Sequence, residues 1–313
     1  MASISAFAYA NVPNPVIFVH GIGDSSVAWR STGPVVSRHI KKYYDISDHS
    51  YFFSGSGICA DRDDKDFSDN VHDLCVYVTF SDHFADPGKL AQELKKVIDD
   101  TRGEAWANYR FYFKSRDDVK VNLVCHSMGG LVARKYLADN IKDHHVSKLI
   151  LIGTPNKGSS ALMFDWVPAG LMVGGVSAFM LSGNPAFLSA SVVGIGWDAI
   201  SYSRGVKILS PAANAMKPGS KFLNDLNSKN MPTDVEYTVI LCTANDLMHV
   251  TANRMLGYAD GDGAVPLDSQ SLKYAGIPNF SKLDYKEMKL IAPHFEEPTM
   301  AKDLVVEALG LKK

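Results

Sequence analysis

The chain is 313 residues long, with 46% hydrophobic and 21% charged residues, which suits one large α/β domain or a core with an insertion and excludes a disordered chain. Its formal net charge is −2 and no basic cluster stands out, which argues against nucleic acid as a partner.

The chain opens Met1-Ala2-Ser3-Ile4-Ser5, without a basic start and with an apolar stretch too short for a complete signal peptide. Ala8-Tyr9-Ala10 nevertheless has the small-x-small form of a cleavage site, so the reading leans towards export, with a disordered tail on a cytoplasmic protein as the alternative. Val16-Ile17-Phe18-Val19 is short and continuously apolar, predicting a buried strand that ends in His20-Gly21. Tyr51-Phe52-Phe53 predicts a second strand. Cys59 and Cys75 flank a very polar run, Ala60 to Asn70, and a bridge between them would pin that loop in an oxidising compartment; two unbridged thiols fit equally. The acidic residues of the run lack the central glycine and final glutamate of an EF-hand loop, so it reads as a solvated loop.

From Lys89 to Asp100, Leu90, Leu94, Val97 and Ile98 fall at helical spacing. Val121 to Val124 predicts a strand, followed by a helix with Ala133, Leu137 and Ile141 on one face. Further strands are expected at Lys148 to Ile152, Val235 to Leu241 and Lys286 to Ile291, and a last helix from about Pro298 to Leu309. Cys125 and Cys242 lie in apolar strand-like runs, as small core residues do. Strands alternating with helices predict an α/β fold with a mostly parallel sheet covered on both faces, a single domain over 1–313.

About eighty residues separate the strands ending at Ile152 and starting at Val235, too many for a simple crossover, so residues 156–234 are expected to form an inserted cap. Within it, Ala161 to Ser203 carries only two charges, Asp165 and Asp198. Pro168, Asn184-Pro185 and several glycines break this run short of the roughly twenty apolar residues of a membrane span. An apolar lid is the expected form, a buried extension of the core the alternative.

Ser127 sits in Cys125-His126-Ser127-Met128-Gly129-Gly130, where a predicted strand runs straight into a predicted helix. A serine at such a corner exposes its hydroxyl on a strained turn, with the helix N-terminus favouring nearby negative charge. A serine nucleophile needs a histidine base and a carboxylate to orient it, both at the ends of later strands. His294 follows the last strand and is the expected base, with His249 the rival; His144 and His145 lie in a polar link and read as surface residues. Two carboxylates are candidates, Asp262 in Gly261-Asp262-Gly263-Ala264-Val265 and Asp246 just after the preceding strand, the alternative acid. The oxyanion donors are backbone N–H groups: Met128, directly after the serine, and one in the loop after the first strand, where the resemblance to α/β-hydrolases that the serine segment carries implies Ile22. His20 is expected to hydrogen-bond within that loop.

The serine segment resembles the nucleophile elbow of α/β-hydrolases, Gly-x-Ser-x-Gly, with Cys125 at the first glycine position, where some bacterial lipases carry alanine. Gly261 to Val265 looks like the Asp-Gly-x-Val segment that carries the acid in bacterial lipases, and Gly153-Thr154-Pro155-Asn156-Lys157-Gly158-Ser159 resembles their Gly-Thr-Pro-His-x-Gly-Ser, with Asn156 for the histidine. Ser210 to Asn227 is similar to the segment leading out of their lids. The resemblance implies the α/β-hydrolase fold and a lipase or esterase acting on acyl esters or lipids through Ser127, Asp262 and His294. It implies no cofactor; some bacterial lipases of this kind hold a structural calcium near the histidine loop, for which this sequence offers no assignable ligands. His20 to Ser25 also resembles the opening loop of palmitoyl-protein thioesterases, and a polyester depolymerase would use the same machinery. A non-enzymatic binding protein on this fold would have no need of an intact serine, histidine and acid.

Overall fold

The computed structural model describes residues 14–44, 75–109, 113–163, 210–246, 249–250, 253–254, 257 and 259–312. The expected strand at 51–53, the polar loop, Cys59 and nearly all of the apolar 161–203 run lie outside the described residues. In chain order the main elements are β1 (Val16–Val19), α1 (Thr32–Tyr44), β2 (Cys75–Tyr77), α2 (Pro87–Tyr109), β3 (Val121–His126), α3 (Met128–Asp139) and β4 (Val146–Ile152). They continue with α4 (Pro211–Ala215), α5 (Lys221–Asn227), β5 (Glu236–Thr243), α6 (Leu267–Gln270), β6 (Asp284–Ile291), α7 (Glu297–Met300) and α8 (Lys302–Ala308). Among the described residues no helix is long and apolar enough to cross a membrane.

All six strands pair in parallel, in the order β2-β1-β3-β4-β5-β6. Side chains alternate across a strand, so the apolar strand residues divide between two faces. Ile17, Val19, Leu123, Cys125, Leu149, Leu151 and Val239 pack on α2, α3, α4 and α5 through Leu94, Ile98, Leu131, Ala213 and Leu223. Val16, Phe18, Val124, Ile150, Ile152, Ile240 and Cys242 pack on α1 and α8 through Val36, Ile40, Val305 and Val306. Burial on both faces is why the central strands read as continuous apolar runs. β6, which among the described residues pairs on one side only, is half-buried or exposed along its length and carries Lys286, Glu287 and Lys289, charges of the kind that discourage pairing at an edge.

Of the expected strands that fall on described residues, Val16–Val19 is found as read, those at 121–124, 148–152 and 286–291 are each two residues longer, and the one expected from Val235 runs from Glu236 to Thr243. Other regions differ from expectation. α1 and β2 were not expected. Cys75, read as the end of a polar loop, is instead buried in β2, beside β1. The C-terminal helix is two short helices meeting at Ala301. Of the expected 156–234 cap, residues 210–234 pack into the domain, with Ala212, Ala213, Met216, Leu223, Leu226 and Met231 in the larger core cluster. Its residues 164–209 lie outside the described residues. His144 is not a surface residue: it is buried, its Nδ1 accepts from the Val146 N–H at 2.9 Å, and its Nε2 meets Asp234 at 3.0 Å.

The chain leaves β1 towards β2 and then crosses back to β3 on the other side of β1. Such a reversal opens a crevice at the carboxyl ends of the two inner strands, where open α/β sheets hold their sites. The loop after β1 (His20, Gly21, Ile22) and the end of β3 (His126, Ser127) meet there.

Candidate active site

Ser127 stands between β3 and α3 with φ 51° and ψ −124°, a conformation a residue with a Cβ adopts only at a cost of about 1–3 kcal/mol. The turn is held by the Ser127 N–H donating to the Ile152 carbonyl at 2.9 Å and by the Gly130 N–H donating to the Ser127 carbonyl at 3.0 Å. It is tight because α3 lies close against β1 and β4. A Cβ on Gly129 would sit 2.6 Å from the His20 carbonyl oxygen, and one on Gly130 would run into Thr154. Cys125, at the position where the family pattern has glycine, is fully buried in the α2/α3 face, so the small thiol fits as core.

His294, in the loop after β6, receives Ser127: Oγ lies 2.9 Å from Nε2. On the far side of the ring, Nδ1 lies 3.0 Å from Asp262 Oδ2. The two contacts set the tautomer, with the proton on Nδ1 and a lone pair on Nε2 facing the hydroxyl. Asp262 is fully buried and amply solvated by donors: Oδ1 accepts the Ala264 and Val265 N–H groups at 2.8 and 2.7 Å, and Oδ2 the Gln270 amide at 3.1 Å. The Asp262 carbonyl also accepts the His294 N–H at 3.0 Å, locking the two loops together. Burial pushes the Asp262 carboxyl up, an effect opposed by His294 and reinforced by Glu297. Burial disfavours a charged His294, but Asp262 and Glu297 outweigh it and raise the imidazole above its ordinary value.

The other sequence candidates are accounted for individually. Asp246 is turned away to His249, whose Nδ1 lies 2.7 Å from Oδ2, so the alternative acid and the rival base pair with each other. The His249 ring packs where a Cβ on Gly263 would stand, bracing the Asp262 loop. His20 hydrogen-bonds within its own loop, Nδ1 lying 2.7 Å from the Gly21 carbonyl, and burial drives it down to about 4. Met128 opens α3, where the first N–H groups have no intrahelical acceptor, and Ile22 is half-buried against the core. Asn156, in place of the family histidine, is buried and accepts from the Arg134 guanidinium at 2.9 Å while donating to the Gln270 carbonyl at 2.6 Å. Arg134, fully buried in α3, is held by amides alone, its second contact being Asn227 at 2.8 Å.

Three participants were not expected from the sequence. Gln270 joins the Asp262 carboxylate to the backbone of Cys242 in β5, a role that no local pattern signals. Glu297, fully buried, places Oε1 3.5 Å from His294 Nδ1 and Oε2 3.1 Å from Nε2 of His126. Neither carboxylate oxygen has a well-aligned hydrogen-bond donor. His126 Nε2 lies 3.0 Å from the His294 carbonyl. Its spacing three residues after His294, a helical turn, is the signal that could have found Glu297. Among the described residues His126, His294 and Glu297 are also the one His/Cys/Asp/Glu group with ligand atoms within 4.8 Å of one another. His294 Nδ1 already faces Asp262, so the group is better suited to proton and charge handling than to holding a metal.

The profile of a family described as "Domain of unknown function (DUF7379)" matches residues 84–245. No curated protein matches the chain in sequence. Among solved structures, the mature form of the lipase BlEst2 from Bacillus licheniformis is similar at TM-score 0.56 and 15% identity, over 97% of this chain and 94% of that one. The propeptide form of the same lipase gives 0.55 and 16%, over 97% of this chain and 51% of that one. The metagenomic carboxyl esterase MGS0156 gives 0.50 and 12%, over 96% and 75%. These likenesses show the α/β-hydrolase fold.

Proposed function

We propose that this chain, which belongs to the family described as a domain of unknown function (DUF7379), is a serine hydrolase of carboxylic esters, of lipase or esterase type. The observation that carries the reading is the unbroken relay from Ser127 Oγ through His294 to Asp262, 2.9 and 3.0 Å long, at a strained strand-to-helix turn. A buried hydroxyl, imidazole and carboxylate in that order match the requirements of acyl transfer. The lipase and carboxyl-esterase titles of the similar structures agree with it.

Ser127 attacks the acyl carbonyl while His294 Nε2 takes its proton, and Asp262 stabilises the imidazolium. The N–H groups of Met128 and Ile22 receive the oxyanion. His294 then protonates the leaving alcohol, and the acyl-enzyme is hydrolysed by water activated by the same imidazole. The two-charge run from Ala161 to Ser203 supports a lid and acyl chains of medium to long length. The deciding experiment is labelling by a fluorophosphonate probe. Wild-type protein is expected to label in a burst, and folded Ser127→Ala not at all, with ester turnover lower by several orders of magnitude. An unlabelled wild type, or an Ser127→Ala variant with near-normal turnover, overturns the reading.

A further inference from the structure

We propose that Glu297 is a second, positioning carboxylate for His294, one that stabilises the imidazolium formed during acyl transfer from the side of His126, in addition to Asp262. The proposal rests on the hydrolase reading above.

Four observations carry it. First, Glu297 is fully buried yet has no well-aligned donor on either oxygen. An ionised carboxylate without hydrogen bonds is costly to bury, and an apolar side chain of similar volume would pack there without the cost. A purely structural role therefore accounts poorly for a glutamate at this position. Second, its two oxygens face two imidazoles, His294 Nδ1 at 3.5 Å and His126 Nε2 at 3.1 Å. The carboxylate thus spans the base and the residue that precedes the nucleophile. Third, room for it is made by the backbone. Gly153, at the end of β4, has φ +54°, and any Cβ there would collide with the Glu297 carboxylate. Fourth, Nε2 of His126 lies 3.0 Å from the His294 carbonyl, while its buried Nδ1 has no hydrogen-bond partner. That pattern fits a proton on Nε2, donated to the His294 carbonyl with Glu297 Oε2 beside it at 3.1 Å.

The titratable groups facing His294 are Ser127 at the end of β3, Asp262 in the loop after β5, Glu297 on α7 and His126 on β3, with Cys242 of β5 beside Glu297 and His20 behind His126. Burial would push the Glu297 carboxyl up, but the neighbouring imidazoles of His294 and His126 hold it low, as an anion. Its charge then favours His294 in the protonated form, the form in which His294 leaves the first proton transfer.

The sign of the effect separates a charge role from a packing role. The acidic limb of kcat/KM reports the free enzyme's base, which works only when unprotonated. Removing a nearby anion lowers the pKa of an imidazole, so Glu297→Gln is expected to move that limb about one unit towards acid, an opposite charge at this range being worth about 1–3 units. In the same variant kcat on the high-pH plateau should fall about tenfold, the equivalent of one such unit, with KM unchanged. Wild type and variant therefore draw together as the pH falls. Glu297→Asp, which keeps the charge one methylene further back, should lie between the two. The measurement is kcat and KM for a p-nitrophenyl ester across pH, with fluorophosphonate burst size to count active sites. A limb that stays in place in whichever of the two variants folds, with kcat depressed equally at every pH, overturns the proposal and leaves the hydrolase reading intact. A wild-type protein that does not label overturns both.

Discussion

Two histidine–aspartate couples stand near each other in this molecule, and only one is equipped for chemistry. His249 and Asp246 are the closer pair, at 2.7 Å, against 3.0 Å for His294 and Asp262. Asp246 is half exposed and its partner stands only three residues on, with the His249 ring packed against Gly263. Asp262 is sealed from water, receives two backbone N–H groups and the Gln270 amide, and fixes an imidazole whose other nitrogen meets Ser127. Contact distance alone does not mark a base. What distinguishes the His294–Asp262 couple is that both ring nitrogens and both Asp262 oxygens are engaged, so the imidazole has one orientation and the low local dielectric strengthens its charge interactions.

The comparison is broken most sharply by exchanging carboxylates for amides. Asp262→Asn is expected to lower kcat/KM about ten-thousandfold, because the amide favours the wrong tautomer and no longer supports the imidazolium. Steady-state ester hydrolysis by the folded variant checks it, and near-wild-type turnover would remove Asp262 from the relay. The next effect is on substrate. Each buried CH2 is worth about 0.8 kcal/mol, so p-nitrophenyl octanoate should exceed the acetate by at least about tenfold in kcat/KM. A rate falling steadily with chain length would assign the 161–203 run to fixed core. Smallest is Asp246→Asn, expected to leave kcat/KM within about threefold and stability within about 1 kcal/mol, as an exposed pair screened by water contributes little. A collapse of activity there would make Asp246 the acid.

The contrast also explains what the sequence made legible. Ser127 and His294 were readable because each follows the end of a strand, and Asp262 because its Asp-Gly segment resembles the one that carries the acid in bacterial lipases. β2 was not readable, since three residues beside a polar run show no periodicity. α1 carried Val36 and Ile40 at helical spacing, but its Ser, Arg, His and Lys residues hide the stripe. Gln270 and, apart from its spacing three residues after His294, Glu297 lay beyond local pattern for a different reason. Their partners are set by how the loops after β5 and β6 fold over one another, and polar residues near a turn ordinarily face water. The pairing of Asp246 with His249 was local, i to i+3, yet it needed the turn of chain between them to be seen.

The backbone angles of Ser127 carry a consequence for evolution as much as for catalysis. A φ of 51° suits glycine far better than serine, so the residue proposed as the nucleophile opposes the fold that displays it. Ser127→Gly should accordingly be inert and yet melt higher than wild type, by about 1–2 °C if about 1 kcal/mol of strain is relieved. Calorimetry on the two proteins would show it, and a lower melting temperature would place the strain elsewhere. Drift unchecked by selection for activity would then favour the silent protein, so a serine kept at this corner signals that its hydroxyl is in use.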